Sequence, residues 1–293
     1  MNKNLVYFTV FNFTEYMDLL QILMISIKLF SKTDGIDFLV LTQPDFIPKL
    51  ENIANIVKIP ILYKLYNTNN LFDTCLSRLL VFEYTKINQY EKILYLDVDI
   101  IVQGNLTGIF NEEIEDKIHA VREGIIEHEY HGGQFFDFEK IDKNLPGFNS
   151  GVLLFKNTEI IRQLFQDTLT HMKSYVKVHG IDHKCMEQAF VNYQFIKNSR
   201  YNVELMDKYG LIYCIEPPPP PSTPTSVVLC HFVWPLGNAS HKKERMVKHF
   251  RHIVENYEKM IFLEKSVSSH RLEIFSSKQL TLDDEILSRT VYA

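Results

Sequence analysis

No Cys-x-x-Cys pair occurs in this chain. Its four cysteines, Cys75, Cys185, Cys214 and Cys230, stand far apart, a spacing that suits neither a structural zinc site nor a dense disulfide framework. A reducing compartment is the simple expectation. An excess of basic charge is also lacking: 31 Lys plus Arg against 36 Asp plus Glu leaves a net charge of −5, so nothing draws the chain as a whole to polyanions. Nucleic acid is not an expected partner. The longest apolar run near the start, Leu19 to Ile27, is too short to cross a bilayer and follows Glu15 and Asp18 where a leader segment would be basic. No integral membrane segment is expected. A Gly-x-Gly-x-x-Gly fingerprint is missing, which argues against a dinucleotide cofactor, and no internal repeat of useful length is visible.

What is present is a globular composition, 46% hydrophobic and 23% charged over 293 residues, enough for one large or two small domains with a sizeable core. The first half alternates β-branched and aromatic runs with helical patterns, the rhythm of stacked β-α units on a mostly parallel sheet. Strands are expected at Leu5–Val10, Asp37–Leu41, Ile56–Ile59 and Lys92–Leu96, then at Ile118–Val121, Gly151–Phe155 and Val227–Phe232. Leu20, Leu23, Met24, Ile27 and Phe30 recur at helical spacing. Further helices are expected near Pro48–Asn55, at Phe72–Tyr84 with Asp73 or Thr74 as cap, over Ile161–Val176, at Asp182–Ile196 and over His241–Glu264. Between Gly124 and Gly147 neither period shows, so a long irregular loop is expected. The run Pro217–Pro221 reads as a stiff extended spacer or a docking segment for a proline-reading domain. Lys242, Lys243, Arg245, Lys248 and Arg251 form a local basic patch, read either as a solvated helix face or as a contact for an anionic ligand or membrane surface.

The chemistry concentrates in Lys92–Phe110, where the apolar run Ile93–Leu96 ends on Asp97-Val98-Asp99. In an open α/β sheet the ligand crevice lies outside the carboxyl ends of the strands, and two carboxylates there are costly to bury unless a cation holds them. Hard oxygen ligands suit Mg²⁺ or Mn²⁺. Two chemistries use such a pair: a cation held on the diphosphate of a nucleotide sugar, and phosphoryl transfer in haloacid-dehalogenase-like phosphatases. The phosphatase pattern normally follows the first strand and continues with Gly-Thr, whereas here about ninety residues precede it and Ile100-Ile101 follows.

The blocks VYFTVFN, LSRLLVFEY, YLDVDIIVQGNLTGIF, FNSGVLLFKN, EQAFVN and HFVWPLGNASHKK, in this order from about residue 5 to residue 243, resemble the glycogenin-like retaining glycosyltransferases, glycosyltransferase family eight. The resemblance implies an α/β GT-A fold, a Rossmann-like, mostly parallel central sheet flanked by helices, with the Asp-x-Asp at a strand end. It implies metal ligation by Asp97, Asp99 and His231, a set that favours Mn²⁺ with Mg²⁺ as the second choice. Donor contacts fall on Thr9, Asn12 and Tyr16 for the nucleoside, on Arg78, on the backbone of Val98, on Asn149 and Gly151, and on Gly237 and Lys242 for the diphosphate; Lys243 competes with Lys242. Glu187-Gln188 matches the family's Asp-Gln pair, so Glu187, Gln188 and Asp99 are the catalytic candidates, with Asp182 a rival for the acceptor. Gln188 is an amide and a poor nucleophile, which points to front-face substitution over a covalent intermediate.

The reaction implied is Mn²⁺-dependent transfer of a hexose, glucose or galactose, from a UDP-sugar to a hydroxyl of a glycan or protein. A nucleotide-sugar-binding protein without turnover and the metal-dependent phosphatase are the alternatives. Homodimerisation stays open. Residues 1–250 are expected to form the transferase domain and 251–293 a C-terminal helix and tail. Three glycosylation sequons begin at Asn12, Asn105 and Asn238, and glycans on two of them would obstruct the donor site, which favours the cytoplasm.

Overall fold

In the computed structural model the described residues are 3–68, 71–180, 186–212, 227–233 and 238–267. Seven strands make the main sheet: β1 (Lys3–Val10), β2 (Ile36–Thr42), β3 (Ile61–Leu65), β4 (Tyr90–Leu96), β6 (Ile118–Ile125), β7 (Pro146–Lys156) and β8 (Tyr201–Asn202), in the order β3-β2-β1-β4-β7-β6-β8. Strands β3, β2, β1 and β4 run parallel; β7 is antiparallel to β4 and β6, and β8 is parallel to β6. The chain moves outward from β1 to β2 and β3 and then returns to β4 on the other side of β1. The carboxyl ends of β1 and β4 therefore flank a topological switch point, where such sheets open a ligand crevice.

Period-two alternation divides the core between the sheet's faces. Val6, Phe8, Val10, Leu94, Leu96, Val152 and Leu154 face one side and pack with α1 (Glu15–Phe30), α2 (Ile47–Val57) and α7 (Ala239–Val267). Leu5, Tyr7, Ile93, Tyr95, Leu153 and Phe155 face the other and pack with α5 (Glu159–His179) and α6 (Glu187–Lys197). Both faces are covered, so β1 and β4 read as near-continuous apolar runs. Each fully buried Leu, Ile or Phe contributes on the order of 1.5–3 kcal/mol.

A second sheet of three short strands, β5 (Ile100–Val102), β10 (Leu229–His231) and β9 (Gly210–Ile212), has β10 in the middle, antiparallel to β5 and parallel to β9. The buried Ser26 of α1 ties it down: its Oγ donates to Leu23 O at 2.7 Å and accepts from Val102 N at 2.9 Å. Among the described residues no helix is long and apolar enough to cross a membrane.

Several local expectations change. Residues 56–59 are not a strand: Ile56 and Val57 complete α2, Lys58 ends it in a left-handed conformation (φ 55°), and the strand starts after Pro60. The β-branched residues there are packed by a helix face, so tertiary packing overrides propensity. The helix expected at Phe72–Tyr84 is α3 (Leu71–Ser77), which tightens into a 3₁₀ segment over Arg78–Glu83; Asp73 and Thr74 lie inside it and do not cap it. Strand β7 begins five residues before Gly151, and the 124–147 loop is shortened by β6 and β7 and carries two 3₁₀ turns at Glu129–His131 and Gly133–Phe135. Phe135 is packed against Phe190, His171, Tyr175 and Tyr193, so that aromatic belongs to the protein's interior. Strands β5, β8 and β9 were not expected; at two or three residues they carry no readable period. Asp182, the five prolines, Cys185, Cys214, Gly237 and the tail beyond Val267 lie outside the described residues.

Candidate active site

The apolar run of β4 ends at Leu96, and the next residue still extends the ladder: Asp97 N donates to Gly151 O at 2.8 Å. Val98, buried in the core, then anchors the turn, and Asp99 leads into β5 of the second sheet. There Phe232 N donates to Asp99 O at 2.9 Å, continuing the β5–β10 pairing that sets His231 opposite Ile100. Two sheets thus deliver their ends to one point. Single ligand atoms of Asp97, Asp99 and His231 lie within 4.8 Å of one another, with His231 Nε2 at 3.0 Å from Asp99 Oδ1 and 3.7 Å from Asp97 Oδ2.

Two cationic side chains balance the carboxylates. Lys242, in the first turn of α7, is buried and pairs with Asp99 Oδ2. Lys243 points elsewhere and meets Asp18 at 3.1 Å, so these two members of the basic patch are not a solvated face. Arg78 bridges Asp97 Oδ1 at 3.2 Å and Glu187 Oε1 at 3.0 Å, donates to Ser150 O and Oγ at 3.1 Å, and lies over the Tyr95 ring at 5.0 Å. Burial alone would raise the Asp99 pKa, but Lys242 and His231 overcome it and hold the carboxyl well below the usual range. Burial would lower the His231 and Lys242 values, and Asp99 reverses both, so each is raised.

The remaining residues arrange around this centre. The Tyr95 hydroxyl donates to Asp97 Oδ1, so Thr9 Oγ1, 3.1 Å away, donates to Tyr95 in turn. Tyr16 is half-buried, and burial with the nearby Asp99 and Asp97 raises its phenol against the opposing Lys242. Asn12 sits at φ 64° just past β1 and is engaged by residues distant in sequence: its N–H donates to Gln43 Oε1 at 2.7 Å, its amide to Thr74, and its Oδ1 accepts from Thr68 at 3.1 Å. Asn149 Oδ1 accepts from Gly151 N at 2.8 Å. Glu187 is buried and accepts from Ser150 Oγ at 3.2 Å as well as from Arg78. The Gln188 amide is fixed at both ends, Oε1 accepting from Ser150 N at 3.0 Å and Nε2 donating to Glu123 Oε2 at 2.9 Å.

Of the expected site residues, Asp97, Asp99, His231, Arg78, Lys242, Thr9, Tyr16, Asn149, Gly151, Glu187 and Gln188 form one connected constellation, whereas Asn12 stands at its rim. Sequence reasoning missed Tyr95, Ser150 and Glu123. Tyr95 was within reach, being two residues before Asp97 on the same strand face; Glu123 carried no local signal.

Two carboxylates and an imidazole in this arrangement could hold a divalent cation, with the fixed charges of Lys242 and Arg78 beside them. Residues 45–236 match the model of the family described as Glycosyl transferase family 8. Among solved structures, the chain resembles the bifunctional glycosyltransferase WbbM (12% identity, 88% of this chain and 51% of that one, TM-score 0.60). It also resembles the galactosyltransferase LgtC in complex with donor and acceptor sugar analogs (17%, 83% and 95%, TM-score 0.54) and mouse xyloside xylosyltransferase 1 (15%, 72% and 87%, TM-score 0.52). The chain thus spans about half of the WbbM chain but nearly all of LgtC. These TM-scores speak for a shared GT-A fold. No curated protein matches the sequence.

Proposed function

The chain belongs to glycosyltransferase family 8, and from that premise we propose that it moves a hexose, glucose or galactose, from a UDP-sugar to an acceptor hydroxyl of a glycan or protein, with retention and with Mn²⁺. The observation that carries this reading is the convergence of Asp97, Asp99 and His231 at the carboxyl end of β4. The donor set fits a divalent cation on two grounds. Two oxygens and an imidazole nitrogen suit Mn²⁺ ahead of Mg²⁺. In addition, the backbone at Gly151 leaves open the space where a β-carbon would press on His231 and Asp97.

A cation bound there supplies Lewis-acid stabilisation to the leaving diphosphate. Lys242 is the lysine that adds a point charge to that diphosphate, since Lys243 is turned to Asp18. Arg78 orients Asp97 and Glu187 together, and Thr9 and Tyr16 line the nucleoside end, where the Tyr16 ring offers a stacking face. Gln188 stands as a rigid amide with no nucleophilic oxygen to spare, which favours front-face substitution: the bond from the anomeric carbon to the UDP oxygen breaks as the acceptor oxygen bonds from the same face, and the departing diphosphate takes the acceptor proton. In this reading 1–250 is the transferase domain, and the cytoplasm, favoured by sequons at Asn12 and Asn238 beside the donor site, is the compartment.

The test is UDP release from a panel of UDP-hexoses with Mn²⁺ or EDTA, beside Asp99→Asn. Release that needs Mn²⁺ and is lost in the variant supports the transferase. UDP binding without release would favour a binding protein, phosphoester hydrolysis without transfer would favour the phosphatase, and absence of both release and binding would overturn the proposal.

A further inference from the structure

Lys242 has two unusual properties for a lysine: it is 6% exposed, and its ammonium is committed to Asp99, a candidate metal ligand. Lysine is almost never this buried unless paired. Both oxygens of the Asp99 carboxylate are occupied, Oδ2 by Lys242 and Oδ1 by His231 Nε2 at 3.0 Å. Asp97 shares Arg78, at 3.2 Å, with Glu187. Each of the two carboxylates therefore already has a fixed positive side chain of the same molecule against it, and Lys242 faces Asp99. The neighbouring Lys243 has a separate partner in Asp18, so the pairing of Lys242 with Asp99 is specific to that position on α7.

We infer that Lys242 is a built-in counter-cation for Asp99, so that its ammonium and a divalent ion compete for one carboxylate. The inference rests on the reading of Asp97, Asp99 and His231 as the metal ligands. An ammonium has three donors and no acceptor; it cannot join a cation's ligand shell and only repels it. Entry of the ion leaves Lys242 buried without its anion unless a new one arrives. The diphosphate of a nucleotide is such an anion, which makes metal and nucleotide bind with positive coupling. The pairing also keeps the buried Asp99 from standing as a lone charge when no ion is bound.

Mn²⁺ binding followed by electron paramagnetic resonance separates the possibilities, using the whole chain and the variants Lys242→Met, Lys242→Gln and Lys242→Arg, each with and without UDP. Expected is binding of Mn²⁺ alone about tenfold or more tightly in Lys242→Met and Lys242→Gln than in the wild type, with Lys242→Arg like the wild type. Mn²⁺ should also raise the melting temperature of the neutral variants more than that of the wild type. Lys242→Gln, which is neutral but keeps an N–H donor on the side chain, serves where the Met variant does not fold. Equal or weaker Mn²⁺ binding in a folded neutral variant overturns the inference. Tighter binding in the variants with no response to UDP in any protein leaves the counter-cation standing and counts against the donor-site reading.

Discussion

A β-carbon on Gly151 would stand 2.3 Å from His231 Cε1 and 2.6 Å from Asp97 Oδ2. Gly151 sits in the middle of β7, where its carbonyl pairs with Asp97 N, so the strand cannot retreat without disturbing β4. The imidazole and the carboxylate must move instead. Gly151→Ala is expected to stay folded, at an overpacking cost of about 1–3 kcal/mol, and to lose Mn²⁺ affinity. Calorimetric titration with Mn²⁺ beside thermal unfolding checks both halves; wild-type affinity in the variant would contradict the proposed ligand set.

Arg78 joins Asp97 to Glu187 inside the protein, with only 13% of its side chain exposed. Burial works against its charge, but Asp97 and Glu187 raise its pKa well above the ordinary value, so it stays charged. Arg78→Met leaves two carboxylates without this cation and is expected to destabilise the fold by about 3–5 kcal/mol. Arg78→Lys keeps the charge but not the fork, and should recover most of that stability while leaving the donor contact impaired. Urea unfolding of the two variants, read with UDP-sugar KM, distinguishes charge from geometry.

Gln188→Glu replaces the donor facing Glu123 Oε2, 2.9 Å away, by a second carboxylate. At pH 7 the variant is expected to lose about 1–3 kcal/mol. Two carboxylates in contact repel, and protonating one of them at low pH removes that repulsion. The deficit should shrink on acidification towards the ordinary carboxylate range. A melting-temperature series from pH 7 to pH 4 shows it, and a constant deficit would count against the pairing.

His249 Nε2 donates to Gln103 Oε1 at 3.2 Å, and the ring packs edge-on against Phe232. Burial, reinforced by the charge of His252, pushes its pKa down to about 4. The folded state therefore binds fewer protons than the unfolded chain between about 4 and the ordinary histidine value, and stability should fall as pH drops through that window. His249→Gln should flatten this part of the pH profile of the melting temperature; an unchanged slope would place the titration elsewhere.

Much of the donor side was legible in the sequence because it is local. Ile93–Leu96 followed by two acids at i and i+2 is a strand end whatever surrounds it, and α1 and α5 announce themselves by apolar spacing. The ordered blocks carried the family and the partners of Asp97. The second sheet was not legible in this way. Its strands are three residues long, too short for any period, and the β5–β10 pairing joins residues more than a hundred positions apart. Glu123, Ser150 and the double fixing of Gln188 depend on where β6, β7 and α6 meet, which no spacing along the chain encodes.

By itself, then, the sequence determined the three parallel strands β1, β2 and β4, the strand-end acid pair and the family, because each rests on short-range pattern or on blocks in order. Only the tertiary structure decided that His231 stands 3.0 Å from Asp99, that Lys242 and not Lys243 faces that carboxylate, and that Arg78 serves both Asp97 and Glu187. Those are choices among like charges, and they are made by burial: the core places one side chain of each kind where it must find an opposite charge or not fold.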